Sequence, residues 1–132
     1  MNYLLDTHTF IWALTDKSKL SPLVQQTIEN ADNNIFISSI TFWEISLKSS
    51  IGKLKLEGIL PNALPKLALQ TGFQLIELSP DESSNYHNLN LQIHKDPFDR
   101  MLIWQAIQRD LILVSKDEHI YQYQSVGLRI LW

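Results

Sequence analysis

Four carboxylates stand out by their position: Asp6, Glu44, Asp99 and Asp117. Asp6 closes the apolar run Tyr3-Leu4-Leu5. Glu44 lies in the helical stretch after a second apolar run, and Asp99 opens a strongly marked helix. Asp117 follows a fourth apolar run that ends at Ser115. Carboxylates gathered in one place repel each other, and the cluster is costly unless a cation neutralises it. The chain has no cysteine, so the ligands are oxygen or imidazole, and an all-oxygen set suits Mg²⁺, with Mn²⁺ as a substitute. Such a cation binds a phosphate oxygen and acidifies a bound water, which is the chemistry of phosphodiester hydrolysis. Attack by water would leave a 5′-phosphate and a 3′-hydroxyl without using a ribose 2′-hydroxyl.

Each acid also has a plain structural use. Asp6 and Asp117 suit helix N-caps in βα loops. Glu44 fits a capping box with Thr41 or an i+4 pair with Lys48, and alone it reads as structural. Its neighbours Phe42, Trp43, Ile45 and Leu47 nevertheless predict a buried turn, where a carboxylate needs a partner or a metal. Asp96-Pro97-Phe98-Asp99-Arg100 places Asp96 at the N-cap, Pro97 at N1 and Asp99 at N3, where both acids favour the helix dipole. Asp99 also shares a face with Ile103 and Ala106, so it is expected to point towards the sheet edge, with Asp96 in support. Arg100 either holds a neighbouring carboxylate, touches a phosphate or is solvated. Ser115 can orient a water or a carboxylate, and Lys116 either counters the acids or is exposed. His8 and His94 are the histidines placed to approach the site, although the four histidines show no tight ligand spacing.

The elements that must position these residues alternate. Strands are expected at Asn2–Leu5, Ile35–Ser38, Phe73–Leu78 and Leu111–Ser115, with a last edge strand at Leu128–Leu131. Helices are expected at Phe10–Leu14, from Pro22 to Asn30 behind the N-cap Ser21, and at Phe42–Ser50 capped by Ser39 or Thr41. More follow at Pro61–Gln70, from Ser79-Pro80 to Leu89, at Phe98–Arg109 and at Asp117–Tyr123. Leu23 and Ile28 are expected on the inner face of the second helix, with Val24 and Thr27. Lys53–Leu56 reads as an extended arm or a short strand, and Gly72 as a helix-ending glycine. This alternation predicts an α/β fold in which helices flank a central, mainly parallel twisted sheet of four to five strands. Sites in such sheets form outside the carboxyl ends of the strands.

The 132 residues favour one domain over 1–132, and 45% hydrophobic with 19% charged residues is a globular composition. A net charge of −3 argues against a basic nucleic-acid module but not against a nuclease whose acids bind cations. No apolar run approaches the roughly 18 residues of a membrane span, and no basic leader opens the chain, so a cytoplasmic location without membrane attachment is expected. There is no Gly-rich phosphate loop and no nucleophile elbow. Lys48, Lys53, Lys55, Lys95, Arg100 and Lys116 are the cations available to a substrate backbone.

Four blocks, Leu4-Leu5-Asp6-Thr7-His8, Ser38 to Ile45, His94 to Ala106 and Leu113-Val114-Ser115-Lys116-Asp117, resemble in order and spacing the PIN-domain family. Within that family they resemble the VapC-type toxins of type II toxin–antitoxin systems. Trp104 stands where such sequences often carry a small residue, and Ser115 where Thr is common, but neither removes an acid. The resemblance implies a three-layer PIN-like sandwich and Mg²⁺-dependent endoribonuclease activity. It implies Asp6 and Asp99 as central metal ligands, with Glu44 and Asp117 completing the catalytic quartet. It further implies an RNA substrate, a homodimer and a small cognate antitoxin. Two other readings compete: a PIN-type RNA-processing nuclease with no toxin role, and a phosphorylatable receiver-like domain. A non-catalytic module whose acids only cap helices is the remaining alternative.

Overall fold

The computed structural model describes residues 1–91 and 96–132. Five strands, β1 (Asn2–Leu5), β2 (Asn34–Ser38), β3 (Gln74–Ile76), β4 (Ile112–Val114) and β5 (Arg129–Leu131), form one sheet in the order β3-β2-β1-β4-β5. Every pairing is parallel, with Leu4 opposite Phe36 on one side and Leu113 on the other. The opening strand is therefore central, and its unbroken apolar run is explained by burial on both faces. Tyr3 and Leu5 enter one core cluster with Ile35, Ile37 and Val114; Leu4 enters the other with Ile76 and Leu113. The order also differs from that of receiver-like sheets, in which the second strand lies at an edge.

The first cluster is closed by α1 (Thr7–Thr15), α2 (Pro22–Glu29), Ile45 of α3 (Ser39–Ser50) and α4 (Leu64–Thr71). The second is closed by Ile40 of α3, by α6 (Pro97–Arg109) and by Ile120 of α7 (Glu118–Tyr121), with α5 (Pro80–Asn85) beside it. Helices thus cover both faces of the sheet, as expected. No helix among the described residues is long and apolar enough to cross a membrane.

Local chemistry accounts for the helix boundaries. Ser21 caps α2 through Val24 N, with Pro22 in the first turn. Ser79 and Glu82 form a complete capping box on α5. Gly72 closes α4 at φ 98°, in the left-handed region where glycine has no Cβ penalty.

Several expectations are corrected. Helix α3 begins at Ser39, capped by the Ser38 hydroxyl on Ile40 N, so Thr41 and Glu44 make no capping box and Glu44 falls in the second turn. On α2 the buried residues are Val24 and Thr27, whereas Leu23 is exposed. Of the two readings of Lys53–Leu56, the short strand is not formed, and the Pro61 segment enters α4 through a 3-10 turn at Pro61–Ala63. The helix expected to run to Leu89 ends at Asn85, with a 3-10 turn at Tyr86–Asn88. The stretch after Asp117 divides similarly into α7 and a 3-10 turn at Gln122–Val126.

Candidate active site

At the carboxyl end of β1 the chain turns into α1, and Asp6 is the N-cap of that helix. Its Oδ1 accepts from Thr9 N at 2.9 Å, and its own amide donates to Val114 O at 3.1 Å, which ties it to the end of β4. Asp6 is only 5% exposed. Burial raises its carboxyl above the usual range, against the opposing pull of hydrogen bonds from Ser115 and Thr9 and of the His8 charge. Ser115 is fully buried at the end of β4, and its Oγ also accepts Asp117 N at 3.1 Å. One hydroxyl therefore contacts the Asp6 carboxyl and the Asp117 backbone amide. Asp117 caps α7 through His119 N at 2.9 Å, and His119 Nδ1 lies 3.2 Å from the same oxygen. A pocket of about 440 Å³ opens here, lined by Asp6, His8, Trp12, Lys116, Asp117 and Glu118.

Glu44 approaches from α3. It is 3% exposed, and Thr7 Oγ1 donates to its Oε1 at 2.6 Å. The same Thr7 oxygen lies 3.3 Å from Thr41 Oγ1. Thr7 is the residue after Asp6, so a single buried hydroxyl carries the position of the β1 end to the third helix. The other Glu44 oxygen accepts from Lys48 Nζ. The expected i+4 pair is therefore made, but inside the site and not on a solvated face. Although burial acts to lower the Lys48 pKa, the hydrogen bond and charge of Glu44, with the charges of Asp96 and Asp99, raise it. Lys48 also lies 5.8 Å from the Phe98 ring, which packs edge-on against Trp43 at 5.1 Å between centroids.

Asp96 caps α6, accepting from Phe98 N at 2.8 Å and Asp99 N at 3.2 Å. Asp99 is half-buried in the first turn. The inward stripe behind it, Leu102, Ile103 and Ala106, is buried. Asp6 and Asp117 line one pocket, and Glu44 holds Lys48, on which the Asp99 charge also acts. Thr7, next to Asp6 in the chain, donates to Glu44. Among the described residues, no three His, Asp or Glu side chains close on a point where a metal ion would sit. The donor set nevertheless suits a hard cation. It is all oxygen, Glu44 already ligates a cationic group, and Asp6 carries a burial cost that a cation would relieve.

Arg100 departs from every expectation. Its guanidinium is 5% exposed and donates to Tyr86 Oη at 2.6 Å, Tyr123 Oη at 2.7 Å, Leu89 O at 3.1 Å and Leu91 O. It fastens residues 86–91 to the core and, among the described contacts, holds neither a carboxylate nor a solvent-facing position. His94 and Lys95 lie outside the described residues. Sequence reasoning missed Thr7, because a threonine after a capping aspartate carries no local signal of a partner 37 positions away. It also missed the His119 ring beside Asp117, for which the i+2 spacing was the available hint.

The family model described as PIN domain matches residues 3–125. A relative named Ribonuclease VapC22, from Mycobacterium tuberculosis (strain ATCC 25618 / H37Rv), is 25% identical over 129 residues, covering 98% of this chain and 97% of the relative. The fold is similar to VapBC2 from Rickettsia felis bound to a DNA fragment from its promoter, with TM-score 0.69 and 19% identity over 99% of this chain and 98% of that one. It is also similar to DNA-bound VapBC from Salmonella typhimurium, with TM-score 0.69 and 17% identity over 99% and 97% of the two chains.

Proposed function

The chain belongs to the PIN-domain family, and we propose that it is a divalent-metal-dependent endoribonuclease, the toxin of a type II toxin–antitoxin pair. The observation that supports this reading is that Asp6 and Asp117 follow β1 and β4 at the carboxyl edge of one parallel sheet and line one pocket there, with Glu44 tied through Thr7 to the residue after Asp6. The ribonuclease name of the relative supports the activity, and the likeness to VapBC assemblies supports a small antitoxin partner. Homodimerisation belongs to the same proposal, as do RNA as the substrate and a cytoplasmic location.

Asp6, Glu44, Asp99 and Asp117 would hold Mg²⁺, with Mn²⁺ as a substitute, and Asp96 supports them by fixing the first turn of α6. When bound, the cation would supply charge neutralisation at a phosphate oxygen and acidification of a water. The chain's own groups orient the acids. Thr9 N and Ser115 fix Asp6, Ser115 fixes the turn of Asp117, and Thr7 fixes Glu44. The exposed Lys116 lines the Asp6 pocket, where it offers a charge to the substrate backbone.

Partner-free protein is expected to cleave structured RNA with Mg²⁺ or Mn²⁺, leaving 5′-phosphate ends, and to stop with a chelator. Asp99→Asn should keep the wild-type circular dichroism spectrum and lose at least about 100-fold in rate, a loss in the range assigned to electrostatic stabilisation. Cleavage by that variant at the wild-type rate would overturn the site assignment. A neighbouring gene for a small DNA-binding protein is the expected genomic sign of the toxin role.

A further inference from the structure

Lys48 is committed to one of the acids. Its Nζ donates to Glu44 Oε2, and Glu44 Oε1 is taken by Thr7, so both oxygens of a buried carboxylate are in use. The Lys48 side chain is 31% exposed against 3% for Glu44, so it reaches in from the rim and has a solvent path by which to leave. The Phe98 ring lies beside its ammonium, and the charges of Asp96 and Asp99 act on it. The ammonium thus contacts Glu44 and lies in the field of Asp96 and Asp99. It also gives the buried Glu44 a partner, since a buried carboxylate without one is strongly unfavourable.

We infer that Lys48 is a built-in counter-cation that holds Glu44 in the metal-free protein and must leave this carboxylate before Glu44 can ligate a divalent ion. The inference rests on the metal-site reading above and adds to it a competition. The ammonium and the divalent ion claim the same oxygen, so metal affinity is set by the difference between the two attractions. Lys48 then lowers the affinity of the site while stabilising the chain without metal. A surface ion pair with no bearing on the site would leave metal affinity alone, and a scaffold role would make its loss weaken binding.

The test is Mn²⁺ binding to the full-length, partner-free chain, followed by electron paramagnetic resonance of free Mn²⁺ and by calorimetry. It compares wild type, Lys48→Met, Lys48→Arg and Glu44→Gln, each first shown to be folded by circular dichroism. Lys48→Met is expected to bind Mn²⁺ about tenfold more tightly, which is about 1.4 kcal/mol. Lys48→Arg keeps the charge and should stay within about threefold of wild type. Glu44→Gln should bind more weakly than wild type. Unchanged or weaker binding by Lys48→Met, beside weakened binding by Glu44→Gln, would overturn the inference and leave the metal site standing. No effect of Glu44→Gln would instead remove Glu44 from the site and overturn both.

Discussion

Replacing Asp6 by asparagine should make the metal-free protein more stable and abolish its response to metal. The carboxylate is 5% exposed, and burial raises its pKa from the ordinary 3.8. A carboxyl whose folded pKa lies above its unfolded value is penalised when ionised. Between those two values the folded chain holds more protons than the unfolded one, so stability rises as pH falls through that window and is lowest at neutral pH. Asparagine removes the charge and keeps the geometry. Its amide oxygen can still accept Thr9 N, the 2.9 Å cap bond, and Asn is as good an N-cap as Asp. Its NH₂ faces the Thr9 and Ser115 hydroxyls, which can turn to accept. Desolvation of an ion costs several kcal/mol, and the existing hydrogen bonds offset much of it, which leaves a net gain of about 1–2 kcal/mol on substitution. With an unfolding entropy of about 2.1 cal/mol/K per residue, that gain raises Tm of the 132-residue chain by roughly 4–7 °C at pH 7 in chelator. Mn²⁺ at about 100 times Kd stabilises wild type by about 2.7 kcal/mol. Because the variant gains almost nothing from Mn²⁺, the order of the two melting curves inverts. Calorimetry of both proteins, with and without Mn²⁺, reads this directly. An Asp6→Asn variant less stable than wild type in chelator, or equally stabilised by Mn²⁺, would refute the reasoning. A residue that only capped α1 would still show the gain in chelator but would leave the variant with the same Mn²⁺ shift as wild type.

Two further substitutions test the supports of the site. Arg100→Met leaves the acceptors at Tyr86, Tyr123, Leu89 and Leu91 without their donor, and should cost about 3–5 kcal/mol in urea unfolding. Arg100→Lys should recover only part of this, since one ammonium cannot reproduce the planar fork, and a loss below about 1 kcal/mol for the methionine variant would contradict the role as a hub. For Glu82, burial acts to raise the pKa, but hydrogen bonds from Arg109, Ser79 and Gln105 together with the Arg109 charge bring it from 4.5 to about 2. Its contribution is therefore complete above pH 4.5 and is lost as pH falls towards 2. Allowing for solvent screening, wild type should lose about 1–2 kcal/mol from this group on acidification, and Arg109→Met should lose measurably less across the same urea series.

What could be read from the sequence follows from how local each signal is. Tyr3-Leu4-Leu5 announces a strand buried on both faces because its apolar run is continuous, and the structure places it at the sheet's centre. Asp96-Pro97 announces a helix start because both residues act on the turn that contains them, and Asp96 makes both expected cap bonds. The α3 boundary was misplaced because Ser38, Ser39 and Thr41 are all competent caps, and only the end of β2 decides among them. Leu23 was assigned inwards from hydrophobicity, yet its neighbours Val24 and Thr27 take the buried face. Arg100 was the largest failure of the local view. Beside two aspartates it reads as a carboxylate or phosphate partner or a solvated arginine, but its hydrogen-bond acceptors are two tyrosines and two carbonyls from other segments.

Glu44 and Asp6 differ in how their charge is carried, and that difference bears on why the site is built this way. Glu44 has a resident cation in Lys48, so this carboxylate costs little to maintain without metal. Asp6 has no comparable ion pair among the described contacts; hydroxyls and an amide hold it, with the exposed His8 contributing only its field, and burial still raises its pKa. Evolution towards stability alone would favour a neutral residue there, since replacing such a buried charge is commonly stabilising. A carboxylate retained at that cost, at the end of the central strand and on the wall of an open pocket, has its explanation in what it binds. On the proposed metal-site reading, Asp6 would be the acid that attracts the ion, and Glu44 would join only once Lys48 had withdrawn. Loss of Asp6 should therefore abolish binding, whereas loss of Glu44 should only weaken it.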